Sequence, residues 1–115
     1  MSVGLYKYDG DFYDRNSELV LSENIASEHF YNKYWEKAIN ELNIKYIQDG
    51  AEINFAMKDT VLKELEMLLE WAMKNVEGKD LQYMKDRIEN LQKVIPTAFD
   101  DENTILYIFW LWWSS

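Results

Sequence analysis

The segment ILYIFWLWW, residues 105–113, constrains the fold more than any other part of the chain. Its nine residues carry no charge and include three tryptophans. A transmembrane helix needs about twenty such residues, so this segment is too short to cross a bilayer as a helix. An apolar run without polar alternation is typical of a strand that is covered on both faces. We therefore predict a central strand, with Ile105 to Phe109 buried on both sides.

Hydrophobic periodicity predicts the elements that begin the chain. An apolar and aromatic run at residues 3–8 indicates a first strand, and the acidic, turn-rich stretch at 9–18 indicates a surface loop. Steps of three and four residues between apolar positions predict an amphipathic helix over 22–42, capped by Ser27 or Ser22.

A hairpin is predicted in the middle of the chain. Residues 44–47 and 51–55 are short strand candidates, and Asp49 followed by Gly50 supplies the turn between them. Asn43, just before the first of these strands, marks the end of the preceding helix.

Two further amphipathic helices are predicted after the hairpin. The first has Asp59 or Thr60 as its cap and a wide apolar stripe between residues 61 and 73. Asp80 caps the second helix, and Pro96 interrupts its pattern because proline removes a helical hydrogen bond. The sequence leaves open whether the helix continues for one further turn after the proline.

The predicted fold is a single α+β domain over residues 1–115. About three amphipathic helices pack on a small mixed sheet that includes the C-terminal strand. The length of 115 residues suits one domain, and 48% hydrophobic residues supply enough apolar material for its core.

The charge of the chain restricts its partners. A formal net charge of −9 works against binding to nucleic acid or acidic lipid and favours a basic partner. The absence of cysteine excludes disulfides, and the start MSVGLYKYDG lacks the features of a secretory signal peptide. We therefore expect a cytoplasmic protein that binds neither nucleic acid nor a membrane.

Sequence motifs for catalysis or metal binding are missing. His29 is the only histidine, which rules out a zinc site built from several histidines. The stretch DGDFYD at 9–14 resembles a calcium loop only superficially, because Asp14 and Val20 stand where an EF-hand needs glycine and glutamate. We predict that the chain is not an enzyme and uses no cofactor or metal.

Acidic residues at turns, interspersed with aromatic residues, are the main indication of a binding surface. If the predicted strands share one sheet, some of these turns meet at one rim and form a negative surface with aromatic anchors for a basic partner. Three indoles within four residues are also hard to bury completely. The predicted partner-binding residues are Asp9, Asp11, Phe12, Tyr13, Asp14, Tyr46, Asp49, Glu52, Asp100, Asp101, Glu102, Trp112 and Trp113.

Three stretches of the chain resemble a known class of small acidic proteins. They are FYNKYWEKAINELNIKYIQDGAEI at 30–53, VLKELEMLLEWA at 61–72 and RIENLQKVIPTAFDDENTILYIF at 87–109. In its size, its acidity and these three stretches, the chain resembles the immunity proteins of bacterial contact-dependent growth inhibition and related polymorphic toxin systems. The resemblance implies a cytoplasmic protein that binds the toxic domain of a cognate effector, commonly a nuclease, and blocks its active site or its access to substrate.

An interaction module that inhibits nothing is the alternative. A homo-oligomeric adaptor would use the patch of Trp110, Trp112 and Trp113, and the sequence leaves a homodimer open. Alanine at Trp112 and Trp113 should dissociate such an oligomer, whereas charge reversal at the acidic turns should weaken a toxin complex. Salt should weaken the toxin complex more than the oligomer.

Overall fold

Four strands form one sheet in the computed structural model, which describes residues 2–9 and 17–111. They are β1 (Ser2–Asp9), β2 (Glu18–Ser27), β3 (Ala51–Asn54) and β4 (Ile105–Leu111). Their order is β2-β1-β4-β3, and every neighbouring pair is antiparallel. The predicted α+β class with a C-terminal strand in the sheet is confirmed, but the pairings are antiparallel throughout rather than mixed.

Three helices pack against this sheet. Helix α1 consists of Glu28–Phe30, a π-helical turn at Tyr31–Trp35, and Glu36–Leu42. Helix α2 (Lys58–Asn75) follows a 3-10 turn at Phe55–Met57, and α3 is Gly78–Ala98. Within the described ranges, no helix is both long and apolar enough to cross a membrane.

Strand β4 supplies the centre of the core, as its apolar sequence predicts. Leu106 and Ile108 are 0% and 1% exposed and belong to the cluster that the helices cover, while Tyr107 on the opposite face is also buried. The prediction is wrong for Ile105, which is 40% exposed and is the first residue of β4, at the end of the sheet. Phe109 is only half-buried.

Residues 22–27 belong to β2 and not to the predicted helix, which begins at Glu28. Ser27 is the cap, since its hydroxyl accepts a hydrogen bond from the Phe30 N–H at 3.4 Å. In its pairing with β1, strand β2 carries two extra residues, Val20 and Ile25. These bulges break the alternation by which a strand is recognised.

The predicted hairpin is wrong. Residues 45–48 form bends instead of a strand, and β3 pairs with β4. The end of α1 at Asn43 is as predicted, and Asn43 has the left-handed conformation (φ 61°) that commonly ends a helix.

The predicted starts of the later helices need correction. Helix α2 begins at Lys58, and neither Asp59 nor Thr60 caps it. Asp80 lies inside the first turn of α3, where its carboxylate accepts a hydrogen bond from the Tyr34 hydroxyl at 2.6 Å.

Helix α3 continues through Pro96 to Ala98. Pro96 is exposed and stands in the last turn, so its missing N–H costs a single hydrogen bond and does not stop the helix. Of the further turn that the sequence left open, Thr97 and Ala98 belong to the helix, whereas Phe99 lies just beyond its end.

Candidate partner-binding surface

One end of the sheet gathers acidic residues from separate parts of the chain. Strand β1 ends there at Asp9, directly opposite Glu18 at the start of β2. The connection from α3 to β4 brings in three more carboxylates, two of which line one groove together with Asp9. We call the five exposed residues Asp9, Glu18, Asp100, Asp101 and Glu102 the acidic end.

Within the acidic end, Asp100 is committed to internal contacts. Its Oδ1 accepts a hydrogen bond from the Thr104 hydroxyl at 2.8 Å, and its Oδ2 lies 3.1 Å from Lys7 Nζ. Lys7 Nζ also donates to the backbone carbonyl of Ala98 at 3.0 Å, at the C-terminus of α3 where a helix favours a cation. Asp100 and Lys7 thus join β1 to the end of α3.

The loss of folding stability at acid pH is expected to depend on the contacts of Asp100. The hydrogen bond from Thr104, followed by the bond and charge of Lys7, holds the pKa of Asp100 below its ordinary value of 3.8. Because this pKa is lower in the folded state, the stabilisation is complete above the unfolded value and is lost as pH falls through the folded one. Urea unfolding between about pH 6 and pH 2 should therefore show a steeper acid loss for the native chain than for Asp100→Asn. Parallel pH profiles would contradict this assignment.

Three other carboxylates of the acidic end make no ion pair with the described residues. Asp101 uses only Oδ1, which accepts the Asn103 N–H at 2.7 Å and a weaker bond from the Thr104 hydroxyl. Within residues 2–9 and 17–111, the side-chain carboxylates of Asp9 and Glu18 make no hydrogen bond or ion pair. These two lie opposite each other as like charges, an arrangement that destabilises an antiparallel pair.

Exposed apolar side chains accompany these acids. Leu19, Val20 and Ile105 are 48%, 54% and 40% exposed, and all three lie where β2 and β4 begin. The groove at the acidic end has Tyr8, Val20 and Ile105 among its apolar lining residues and Lys7, Asp9, Asp100 and Asp101 among its charged ones. Carboxylates beside exposed apolar groups are suited to binding a cationic side chain together with its hydrocarbon stem.

The other described acidic turn lies away from this end. Gly50, next to Asp49, donates its N–H to the Ile108 carbonyl at 2.7 Å. Since Ile108 is three residues along β4 from the acidic end, this turn is displaced by roughly 10 Å. Asp49, and Tyr46 in the same loop, are therefore not among the predicted residues that meet at the acidic end.

Glu52 does not lie at a turn. It belongs to the edge strand β3, opposite Tyr107 of β4, which is one of the residues that line the groove. Six predicted binding residues fall outside the described ranges, and their roles stay predictions: Asp11, Phe12, Tyr13, Asp14, Trp112 and Trp113.

A buried carboxylate that the sequence analysis missed explains the course of the Asp49 loop. Glu64 on α2 is 6% exposed and accepts the N–H groups of Lys45, Tyr46 and Ile47 at 2.7, 3.0 and 3.1 Å. These N–H groups face a side chain, so the segment bends around the carboxylate instead of forming a strand. The sequence did contain an indication that Glu64 is buried, because this residue falls three positions after Val61 on the apolar stripe of α2.

Tyr31 holds the other end of the same loop. Its hydroxyl accepts the Asp49 N–H at 3.0 Å. Burial raises the pKa of Tyr31, so the hydroxyl remains neutral at physiological pH. Tyr31 begins the π-helical turn of α1, and its ring also contacts Trp110 edge to face, with centroids 5.3 Å apart. The loop is therefore fixed by side chains from two helices.

The described ranges contain no group of three histidine or carboxylate side chains that could hold a metal ion. Comparisons of the chain with protein-family models, with curated proteins and with solved structures found no match.

Proposed function

We propose that this chain is an immunity protein that acts in the bacterial cytoplasm. It binds and neutralises a basic toxin domain, most simply a nuclease, through the acidic end. The observation that carries the proposal is that the carboxylates of Asp9, Glu18 and Asp101, which make no ion pair with the described residues, lie beside exposed apolar side chains at one end of the sheet. The resemblance of residues 30–53, 61–72 and 87–109 to immunity proteins supports the same function.

Physical complementarity links this surface to a toxin that acts on nucleic acid. Such a toxin needs a cationic cleft for the phosphate backbone. An acidic surface is attracted to that cleft at long range, and exposed apolar contacts then stabilise the docked complex. Occupying the cleft is enough for inhibition and requires no catalytic group on the inhibitor.

The direct test is recovery of the partner together with a protection assay. The tagged chain is expressed in a bacterial host that carries its neighbouring genes, and the proteins that co-purify at low and high salt are identified. A basic partner that is lost at high salt, and that stops growth when expressed without this chain, is expected. Self-association alone, without protection against any neighbouring gene product, would refute the proposal and favour the tryptophan-mediated adaptor.

Charge reversal should locate the interface on the recovered complex. Asp101→Lys is expected to weaken binding about tenfold or more and to reduce growth protection, because it places a cation against a cationic cleft. Glu70→Lys makes the same charge change on an exposed position of α2 and is the matched control. Equal weakening by the two variants would show that only the net charge matters and that the acidic end is not the interface.

A further inference from the structure

The charged groups in the groove are not equivalent. Lys7 and Asp100 neutralise each other at 3.1 Å, and the Ala98 carbonyl accepts a further hydrogen bond from Lys7. The carboxylate of Asp9 and the Oδ2 atom of Asp101 are left without a partner among the residues that the structure describes. The groove therefore has a neutralised ion pair and, beside it, two carboxylates that can bind an added cation.

The apolar residues of the groove limit the shape of that cation. Val20 and Ile105 expose about half of their surfaces, 54% and 40%, and line the groove together with the Tyr8 ring. A hydrocarbon stem can cover these surfaces while its charged head reaches the carboxylates. Arginine suits such a site better than lysine, because its planar guanidinium is weakly hydrated, stacks on rings and can bridge two carboxylates.

We propose that the groove receives an arginine side chain of the toxin, with its guanidinium between Asp9 and Asp101. This inference rests on the proposed function and names the chemical group that the partner supplies. Charge complementarity carries it: the added cation would offset the repulsion between Asp9 and Glu18 and would pair the open oxygen of Asp101. Asp100 holds the groove in shape through Lys7 and makes no contact with the arginine.

The site is testable without the toxin. The probe is Nα-acetyl-L-arginine amide, titrated into the full-length chain and followed by two-dimensional NMR of backbone amides and methyl groups. Saturable shifts centred on Val20, Leu21 and Ile105 are expected, with a dissociation constant on the order of 1 mM for so small a ligand. The acetylated amide of citrulline has the same shape without the charge and should give no saturable shift. The corresponding lysine compound should bind several-fold more weakly.

Matched variants assign the binding to the groove. Asp101→Asn keeps an oxygen for the Asn103 N–H but removes the charge, and it should weaken arginine binding about tenfold. Asp9→Asn should have a similar effect. Glu70→Gln, which removes one exposed charge elsewhere, should leave the affinity unchanged.

Two outcomes would overturn the proposed arginine site. One is the absence of saturable shifts up to 50-fold above the expected constant, and the other is equal weakening by Asp101→Asn and Glu70→Gln. If either occurs while Asp101→Lys still abolishes protection against a recovered toxin, the proposed function stands and only the arginine site fails. If arginine binds in the groove but no toxin is recovered, the site stands and the proposed function fails.

Discussion

Replacement of Glu64 by alanine is expected to lower the free energy of unfolding by about 3 to 5 kcal/mol. The carboxylate is buried and accepts three backbone N–H groups, from Lys45, Tyr46 and Ile47. Alanine would leave these three donors without their acceptor, the Ile47 N–H in a buried position, and would create a cavity next to the core. Urea or guanidinium unfolding at neutral pH measures the loss.

Two further variants test whether the loss of stability comes from the missing acceptor of Glu64 or would follow from any substitution in α2. Glu66→Ala changes an exposed glutamate two residues away and should cost less than about 0.5 kcal/mol. Glu64→Gln keeps one acceptor oxygen but turns an amide group towards backbone donors, so its cost should lie between those of the two alanine variants. A small effect of Glu64→Ala would mean that the three N–H groups find other acceptors and that Glu64 does not fix the loop.

Glu64 also shows why the hairpin prediction failed while the neighbouring elements were recognised. Periodicity identifies which face of a helix is buried, and it placed α2 correctly from its apolar positions. It assumes that the buried face is apolar, however, and therefore gives no reason to expect a buried carboxylate on that face. The consequence lies about twenty residues earlier, where three N–H groups donate to Glu64 and not to a strand. Such a contact depends on tertiary packing, which local sequence patterns do not contain.

Strand β2, at one edge of the sheet, was not recognised for a related reason. Strand β4 buries Leu106, Tyr107 and Ile108 on its two faces, so its apolar composition identified it. Strand β2 lies at the edge with bulges at Val20 and Ile25, and its mixture of polar and apolar residues fitted a helix equally well. Edge position is decided by which strands pair, and this information becomes available only with the whole sheet.

Part of the candidate site was predictable from the sequence. Asp9 at the end of β1 and the acidic turn before β4 were both among the predicted binding residues, and the antiparallel pairing of β1 with β4 places them at the same end of the sheet. The sequence could not predict that Asp100 makes internal contacts while Asp101 keeps one oxygen open. It depends on Lys7, which is 91 residues away from its second acceptor, the Ala98 carbonyl.

Leu106→Ala is expected to destabilise the protein by about 2 to 5 kcal/mol. Leu106 is 0% exposed, lies on the helix-facing side of β4, and is paired with Ile53 of β3 and Lys7 of β1. Truncation therefore removes apolar contacts in the middle of the core, where neighbours on both sides of β4 limit collapse into the cavity.

The adjacent residue supplies the control for this central-strand prediction. Ile105→Ala changes a branched apolar residue on the same strand, but the Ile105 side chain is 40% exposed and is expected to cost less than about 1 kcal/mol. The two variants are compared by denaturant unfolding under identical conditions. A large difference establishes that β4 buries its helix-facing side chains in the core, as its position between β1 and β3 requires. Equal losses would show that the strand contributes mainly through its backbone pairing, and that its apolar sequence was selected for something other than the core.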